Sequence, residues 1–437
     1  MTSQKQLKAR IRARMARTGE SYTTARRHVA GTAPAPVSAA GYRLSGGRDP
    51  VAAALAHVLA HHGVRCAGTE VSEALMSGIA GGPGAGYILW EFAHDDSRPV
   101  VLAFSADWQY ADRAPLAALD RLGVAATVQR TGGAVGAARA LAAAVDAGRP
   151  ALVWPDRQIL GHRHLPPTFD GMGGHVVVVH GRAGERYLVD DRSHAPLTLP
   201  VTVLDAARAR VGSYKNLLVV PEPTGDLAPE TLRSALLTGL THGVTQLRRT
   251  STSFALPAWR KWARLVTDAT AAKGWPRVFA DGRGLAGALA SVWEGVSPVG
   301  MTGGHRRDLT ADCLDDATAL LGVPTADAAG AWRAAGAAWV AVGEAALPVD
   351  VPEFARLREL TAAVEQAVLG EGDAGRATAA AAAAELWELR AGMDGEPPLP
   401  PDDRAALFAG LGAAVSAAHA AEQVAVAETA AVLERAG

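Results

Sequence analysis

The sequence predicts an α+β fold followed by an all-α region, and three observations lead to this prediction. A continuous β-branched run at 176–179, turn residues and a second apolar run at 186–189 indicate a β-hairpin. The stretch 221–226, Pro-Glu-Pro-Thr-Gly-Asp, interrupts the apolar pattern. Beyond it, long Ala- and Leu-rich segments replace the strand patterns. We therefore expect a basic helical arm and linker at 1–40, an α+β domain at 41–222 and a helical domain at 223–437.

The overall composition argues against several classes of protein. The 437 residues carry a formal net charge of −1, which gives no overall attraction to nucleic acid or to a membrane surface. The two cysteines, Cys66 and Cys313, make neither a disulfide framework nor a zinc site, and they favour a reducing compartment. No apolar run approaches the ~18 residues that span a bilayer. We expect a soluble cytoplasmic protein with no cofactor, no membrane association and no nucleic-acid partner.

The N-terminal arm is locally basic. Residues 1–30 contain eight Lys and Arg against a single acid, Glu20. Leu7, Ile11 and Met15 recur every four residues and predict a helix with one narrow apolar stripe. We expect this arm to dock its stripe on the body of the protein. Binding of RNA, of an acidic carrier protein or of anionic lipid is the alternative.

Asp49-Pro50 predicts the start of a buried central helix, because Asp is a good N-cap and Pro fits the first helical position. Residues 51–60 are nearly all small or apolar, and Gly63 ends the helix. His57 and His61 share one face of it. No third ligand has the spacing of a metal motif, so we predict no metal site.

A glycine-rich stretch at 78–86 precedes a predicted strand at 87–92. It is not a P-loop, since no Gly-Lys-Ser/Thr follows, and it does not link a strand to a helix as a dinucleotide fingerprint does. We expect a tight backbone path that lets main-chain amides approach a ligand or another segment. Further strands are predicted at 99–104, 125–130, 151–154 and 216–220, and helices at 115–122 and 135–147.

The two ends of the predicted hairpin carry chemically active residues. His175 begins the first strand, and Asp190 and Asp191 end the second. In antiparallel geometry these ends lie side by side, so His175 and one of the two acids are expected to form an acid–histidine pair. Such a pair is half of a nucleophilic site. Asp191 fits better, because it shares a face with Val189, and Asp190 is the second candidate.

The region after the boundary reads as a set of helices. They are predicted at 229–242, 257–272, 284–293, 307–321, 326–343, 352–370, 376–391 and 401–434. In the last of them Leu407, Leu411, Val415 and Ala418 are apolar at near-heptad spacing. We expect this helix to pack within its own bundle. Pairing with a partner helix, and so a homo-oligomer, is the alternative.

Two stretches together resemble the papain-like fold. In that fold a nucleophilic Cys stands at the N-terminus of a buried helix, where the helix dipole lowers its pKa. A His and an Asp or Asn come from neighbouring strands. Residues 49–63 are similar to the start of that central helix, and residues 174–192 are similar to the His strand and the acid strand. The resemblance implies a central helix packed on an antiparallel sheet.

A narrower resemblance rests on Ser72-Glu73, the glycine stretch, 87–92 and Asp191-Arg192-Ser193. These resemble the N-terminal domain of the butirosin-biosynthesis protein H (BtrH) family, acyltransferases of natural-product assembly that move an acyl group from a carrier-protein thioester to an amine. Residues 303–314 resemble the uncharacterised helical domain that often follows it, so the likeness covers about residues 41–345. It implies that 41–222 is a papain-like domain. The substrate contacts that it implies are Glu73, Gly82, Gly84 and Gly86.

The sequence departs from the family pattern at the nucleophile. Aligned on Leu55 and Gly63, the catalytic Cys would fall at or next to Pro50, and the oxyanion Gln would fall near Leu44. Cys66 lies past the C-terminal end of the predicted helix, where the dipole disfavours a thiolate. It remains an alternative nucleophile. Asp49 is a further candidate, as a general base facing His175, a ligand contact or the helix cap.

These observations define the expected function and its alternatives. The first is an acyl- or aminoacyltransferase-type protein of natural-product biosynthesis in which His175, oriented by Asp191, deprotonates an amine that attacks a bound thioester directly. Its expected partners are an acyl carrier protein and a small-molecule or peptide substrate. The alternative is a pseudoenzyme that binds a peptide, carrier protein or small molecule in the old cleft. A third candidate is an interaction protein that recruits a partner through its arm and helical domain.

Overall fold

The computed structural model describes residues 41–92, 97–110, 112–396 and 398–437, together with Arg12 and the pair Val37–Ser38. The predicted basic arm and linker at 1–40 therefore lie almost entirely outside the described residues. Arg12 is helical and exposed. Nothing in the described part of the chain bears on what the arm binds.

The first part of the described chain mixes strands and helices, as predicted. The strands are β1 (Val37–Ser38), β2 (Arg65–Cys66), β3 (Thr69–Glu70), β4 (Pro83–Leu89), β5 (Val100–Ser105), β6 (Ala126–Gln129), β7 (Ala151–Val153), β8 (Val177–Ala183), β9 (Arg186–Asp190), β10 (Leu197–Pro200) and β11 (Leu218–Pro221). The helices are α1 (Pro50–His61), α2 (Glu73–Ile79), α3 (Arg113–Arg121), α4 (Ala134–Asp146), α5 (Arg157–Leu160) and α6 (Val201–Arg210). Single 3₁₀ turns lie at Pro167–Phe169 and Gly212–Tyr214.

The main sheet is antiparallel and has seven strands in the order β10-β9-β8-β7-β11-β6, with β1 paired to the far half of β8. The predicted hairpin is β8–β9, in which Val178 faces Asp190 and Ala183 faces Arg186. A register shift between Val179 and Gly181 marks a bulge in β8. The strands β2–β3 and β4–β5 form two separate hairpins.

The β-branched run of β8 is buried on both faces, as its composition predicts. Val176 and Val178 join the cluster that contains Leu55 of α1, whereas Val177 and Val179 join a second cluster with residues of α4 and α6. Side chains alternate across a strand, so helices on both sides of the sheet require an apolar residue at every position. This alternation also sends neighbouring residues of β9 in opposite directions.

The second part of the described chain is helical, as predicted. Its helices are α7 (Pro229–Leu247), α8 (Pro257–Thr267), α9 (Trp275–Val278), α10 (Leu285–Val296), α11 (Arg307–Leu321), α12 (Ala326–Ala346), α13 (Pro352–Glu365), α14 (Arg376–Gly395) and α15 (Pro401–Ala436). A π-helical segment, Gln366–Glu371, follows α13 where the sequence predicts a continuous helix. One large apolar cluster contains residues from both parts of the chain, and the division into domains at residue 222 stays a prediction.

The last helix corrects one expectation from the sequence. By length and composition, α15 is the one described helix that could cross a membrane, so the prediction that no apolar run approaches that length is wrong. Core helices of soluble proteins share this property. Leu411 and Val415 of α15 are fully buried against the rest of the protein. Its apolar residues therefore serve the core in this structure.

A buried ion pair ties α15 to the α+β part. The guanidinium of Arg307 donates to Glu422, and it also donates to the carbonyl oxygens of Phe104 at 2.8 Å and Gly84 at 2.7 Å. Glu422 accepts from Trp259 at 2.9 Å and from Trp339 at 2.6 Å. All the polar atoms of the pair are thus engaged, which a charge buried in an apolar core requires.

The predictions from the sequence placed some element boundaries incorrectly and missed several elements. The predicted glycine loop is partly β4, which begins at Pro83 and ends at Leu89, before the exposed Trp90. The elements β1, β2, β3, α2, α5, β10, α6 and α9 were not predicted. Residues 201–203 of α6 are Val-Thr-Val, a β-branched start that does not favour a helix and that tertiary packing overrides.

Candidate functional site

The expected pair of His175 and Asp191 is present in the structure. His175 Nε2 lies 2.5 Å from Asp191 Oδ1. The other carboxylate oxygen, Oδ2, accepts from His162 Nε2 at 2.9 Å and from Arg163 Nη2 at 3.0 Å. His175 is only 5% exposed and Asp191 only 1%. The antiparallel hairpin therefore brings these residues together as predicted, but it does so inside the protein.

The pair belongs to a buried network that reaches the helical part. Arg163 also donates to Glu365 at the end of α13, and Arg192 Nη2 lies 3.4 Å from the other oxygen of Glu365. Arg192 further donates to the carbonyl oxygen of Met301 at 3.0 Å. This network links the end of the hairpin to the end of α13 and to the loop between α10 and α11. These contacts hold the α+β part and the helical part of the chain together.

Burial determines the charges within this network. It lowers the pKa of His175 to about 4 against the pull of Asp191, so the imidazole is neutral at pH 7. Burial alone would raise the pKa of Asp191, but its contacts with His175, Arg163 and His162 hold that pKa well below its usual range. The carboxylate is therefore ionised, and Arg163 is its counter-ion. A neutral His175 of such low basicity is a weak general base.

Asp49 is the N-cap of α1, as the sequence favours. Its Oδ1 accepts from the backbone N–H of Val51 at 2.9 Å and of Ala52 at 2.8 Å. Its Oδ2 pairs with Arg306, from the loop before α11. No described contact joins Asp49 to His175, so the sequence hypothesis of an acid facing that histidine has no support in the contacts of the described chain. Both carboxylate oxygens are already engaged in holding the helix end.

The other predicted residues lie around α1 without converging on His175. Glu73 Oε1 accepts from the backbone N–H of Arg48 at 2.7 Å and of Asp49 at 2.6 Å. Burial raises the pKa of Glu73, which these two donors oppose. Cys66 lies in β2, beyond the C-terminal end of α1. The 12 residues of α1 make it ~18 Å long, so Cys66 is remote from the helix N-terminus.

The predicted substrate-binding glycines pack mainly against protein. A Cβ on Gly84 would lie 2.1 Å from the carbonyl oxygen of Ser105, and one on Gly86 would lie 2.7 Å from Trp108 Nε1. Gly82 has φ +66°, which glycine adopts without strain. Gly84 also lines a large cavity. Glycine is therefore required at Gly84 and Gly86 mainly because neighbouring protein segments pack too closely for a side chain.

A second acid–histidine pair involves the neighbouring acid, Asp190. His57 Nδ1, in the middle of α1, lies 2.7 Å from Asp190 Oδ2, and His57 Nε2 lies 2.8 Å from Ser45 Oγ. Since an ionised carboxylate only accepts, we assign the proton to Nδ1, which leaves Nε2 free to accept the hydroxyl proton. A serine, a histidine and a buried acid in this order form the arrangement that activates a serine nucleophile.

Asp190 is held firmly in this arrangement. Its Oδ2 also accepts from the hydroxyl of Tyr42 at 2.8 Å, and its Oδ1 accepts from the backbone N–H of Ser193 at 3.0 Å. Burial raises the pKa of Tyr42 well above its usual value, and Asp190 raises it further, so the phenol stays protonated and donates. The Tyr42 ring stacks on His180 with centroids 4.3 Å apart. These contacts fix the carboxylate that orients His57.

The serine of this arrangement is accessible. Ser45 is exposed, while the side chains of His57 and Asp190 are 11% and 1% exposed. Ser45 and His57 line a cavity of about 270 Å³, together with residues such as Ala56, Ala60 and Val71. Arg43 and Glu70, which form an ion pair at 2.6 Å, also line it. The hydroxyl of Ser45 thus lies at a small pocket.

The sequence analysis identified only part of the site formed by Ser45, His57 and Asp190. It named Asp190 as the second candidate, and it considered His57 only as a metal ligand. It missed Ser45 and Tyr42, which precede α1 and have no motif around them. The usable signal was His57 itself, since a polar residue in the otherwise apolar stretch 51–60 needs a partner. Among the described residues, no group of three or more His, Cys, Asp or Glu could hold a metal ion.

Fold and site together define an α+β protein with a Ser-His-Asp arrangement beside its central helix and a helical region behind it. Residues 50–192 match the family described as butirosin biosynthesis protein H, N-terminal, which confirms the resemblance over that stretch. The match contains His57 and Asp190 as well as His175 and Asp191, and it begins after Ser45. Comparison with curated proteins gives no match. The expected likeness of residues 303–314 lies beyond the matched stretch and stays a prediction.

Proposed function

We propose that this protein is an acyltransferase of a biosynthetic pathway that uses Ser45 as its nucleophile. The observation that carries the proposal is the chain of contacts Ser45 Oγ–His57 Nε2 at 2.8 Å and His57 Nδ1–Asp190 Oδ2 at 2.7 Å. The match to a family named for a biosynthesis protein supports the biosynthetic setting. The central helix on an antiparallel sheet is, in this proposal, a papain-like framework with its nucleophile moved to the preceding loop.

The proposed reaction has two half-reactions. Ser45 Oγ attacks the acyl carbon of a thioester while its proton passes to His57 Nε2, and the C–S bond breaks as the leaving thiolate takes that proton. An amine then attacks the serine ester. His57 accepts the amine proton and returns it to Ser45 Oγ as the C–O bond breaks. Asp190 stabilises the imidazolium that forms in both steps.

The cavity at Ser45 supports a small acyl group. Its volume of about 270 Å³ is below the usual range for sites that enclose a drug-sized ligand. Ala56, Ala60 and Val71 supply small apolar side chains for the acyl chain. By the family resemblance, the donor is a thioester on an acyl carrier protein. The low cysteine content of the sequence supports a cytoplasmic setting.

Transfer through Ser45 replaces the direct transfer by His175 that the sequence favours. His175 is buried, its Nε2 is taken by Asp191, and its pKa of about 4 makes it a poor base at neutral pH. The Nε2 of His57, in contrast, faces an exposed hydroxyl, that of Ser45. The sequence alternative of a non-catalytic binding protein remains the competing outcome of the test.

The test uses the acetyl thioester of N-acetylcysteamine as the donor and a simple primary amine as the acceptor. Intact-protein mass spectrometry without the amine should show one acyl group on the full-length chain, and adding the amine should remove it. Ser45→Ala should abolish the adduct. Ser234→Ala, an exposed serine on α7 outside the cavity, should keep it. A folded wild-type protein that never becomes acylated, or an adduct that persists in Ser45→Ala, contradicts the proposal.

A further inference from the structure

A second cavity, larger than the one at Ser45, lies away from that serine and has no part in the proposed reaction. It measures about 840 Å³ and lies between the end of β5 with the loop after it, on one side, and α7 with the loop after that helix, on the other. We propose that it binds a small molecule that carries a dianionic group, a phosphate ester or a dicarboxylate, next to a planar apolar group. This inference does not depend on the function proposed for Ser45.

The charge of the cavity favours an anion. Its lining contains the guanidinium groups of Arg113, Arg121 and Arg249, and a single carboxylate, Asp107. Asp107 is already engaged, since its Oδ2 lies 2.7 Å from His242 Nε2 and its Oδ1 lies 3.9 Å from Arg113. Three arginines against one carboxylate leave the cavity positive.

Arg249 is the arginine with the most freedom to bind a ligand. It is exposed, and within the described chain it makes no ion pair or side-chain hydrogen bond. Arg121, by contrast, donates to the carbonyl oxygen of Ile79, and the Arg113 guanidinium lies 3.6 Å from the ring centroid of Tyr110. A planar guanidinium presents paired N–H donors that match a phosphate or carboxylate.

Aromatic side chains supply the second half of the recognition. Trp108 and Phe254 line the cavity with their ring centroids 5.7 Å apart, and the Phe254 residue is 40% exposed. Exposed rings in a concave site offer an apolar surface to a planar group. The Trp108 Nε1–H is buried against Gly86 and has no hydrogen-bond partner in the described structure, so the rings, not this N–H, are the part of the aromatic pair offered to a ligand.

The volume supports a ligand rather than a packing defect. About 840 Å³ falls within the range of small-molecule sites, and it is roughly three times the cavity at Ser45. Only a molecule that reaches both the aromatic rings and the arginines would use the whole space. An inorganic anion would use one end alone.

The test measures binding to the full-length protein by isothermal titration calorimetry with simple probes. Phenyl phosphate and phthalate both join an aromatic ring to a dianionic group, one as a phosphate ester and one as a dicarboxylate. At least one of them should bind at least tenfold more tightly than either inorganic phosphate or phenol. The tighter of the two identifies the anionic group. If neither aromatic probe binds more tightly than inorganic phosphate, or if neither binds at millimolar concentration, the proposal is overturned.

Two variants complete the test. Arg249→Ala should weaken binding of the better probe about tenfold, which is the loss of one charge-assisted contact, while Ser45 acylation stays unchanged. Arg248→Ala is the matched control, because Arg248 is a neighbouring exposed arginine outside the cavity lining. It should leave binding unchanged. If both variants weaken probe binding equally, the effect comes from general surface charge, and the proposed binding site is contradicted.

Discussion

Asp190 and Asp191 are neighbours in the chain, but their carboxylates diverge to different partners. Asp190 pairs with His57 of α1 at 2.7 Å, and Asp191 pairs with His175 at 2.5 Å. The alternation of side chains along a strand produces this divergence. One acid completes an arrangement with an exposed serine, and the other completes a buried ionic network. The predictions below separate these two roles.

The first prediction concerns Asp190. Asp190→Asn should lower the rate of Ser45 acylation about 10³–10⁴-fold, because the amide no longer holds His57 in the tautomer with a proton on Nδ1. The rate is measured as release of nitrophenol from p-nitrophenyl acetate, with circular dichroism as the check on folding. If folded Asp190→Asn protein reacts at a rate within a few-fold of wild type, Asp190 is not part of the catalytic site.

The second prediction concerns Asp191. Asp191→Asn should destabilise the protein by about 3–5 kcal/mol, because it leaves Arg163 buried without its full counter-ion. The free energy of unfolding is measured by urea titration. Any Asp191→Asn protein that remains folded should keep its Ser45 acylation to within a few-fold. A stable but inactive Asp191→Asn variant would favour the site at His175 that the sequence predicts.

Tyr42 should act as a positioning residue. Tyr42→Phe removes a donor to Asp190 and keeps the ring that stacks on His180. We expect about tenfold slower acylation. Without this donor the negative charge of Asp190 is less shared with Tyr42 and acts more strongly on His57, so the pH–rate profile should change. A slower rate with an unmoved pH profile would assign Tyr42 a purely structural role.

Protein stability should fall with acidification between about pH 6.5 and 4. Burial lowers the pKa of both His175 and His180 to about 4, whereas an unfolded His titrates near ~6.5. The unfolded chain therefore binds more protons in this window, and the free energy of unfolding decreases as pH falls. Urea titrations at pH 7, 6 and 5 measure the slope. His180→Phe should flatten it, and a stability independent of pH in this range would contradict the buried neutral state.

The buried pair of Arg307 and Glu422 should be essential for the joint core. Glu422→Ala leaves the guanidinium of Arg307 uncompensated and should cost about 3–5 kcal/mol of unfolding free energy. Glu434→Gln changes an exposed acid of the same helix and should stay within ~0.5 kcal/mol of wild type. Thermal or urea unfolding distinguishes them. Equal stability of the two variants would mean that α15 does not depend on this pair.

Much of the fold could be predicted, because periodic patterns report local structure directly. The run 176–179 specifies a strand covered on both faces, and Asp49-Pro50 specifies the start of α1. The Ala-rich stretches after residue 226 specify helices. By contrast, α6 begins with β-branched residues, and its helical state comes from packing under the sheet. That packing cannot be predicted from the local sequence.

The candidate site was harder to predict than the fold, because its members come from separate elements. His175 and Asp191 lie on one hairpin, so their pairing follows from strand geometry alone. Ser45, His57 and Asp190 come from a loop, a helix and a strand, and only the tertiary fold brings them together. The family resemblance directed attention to the N-terminus of α1, where Asp49 and Arg306 pair instead. Ser45 lies in the loop just before α1, and no sequence motif surrounds it.

The central claim is that Ser45 is an activated nucleophile, and labelling with a fluorophosphonate tests it most directly. This reagent phosphonylates serines that an adjacent histidine activates, and peptide mass spectrometry locates the adduct. We predict a single adduct on Ser45, lost in His57→Gln protein and unaffected by Cys66→Ala. Folded protein that resists the reagent, or that carries the adduct on another residue, would contradict the claim.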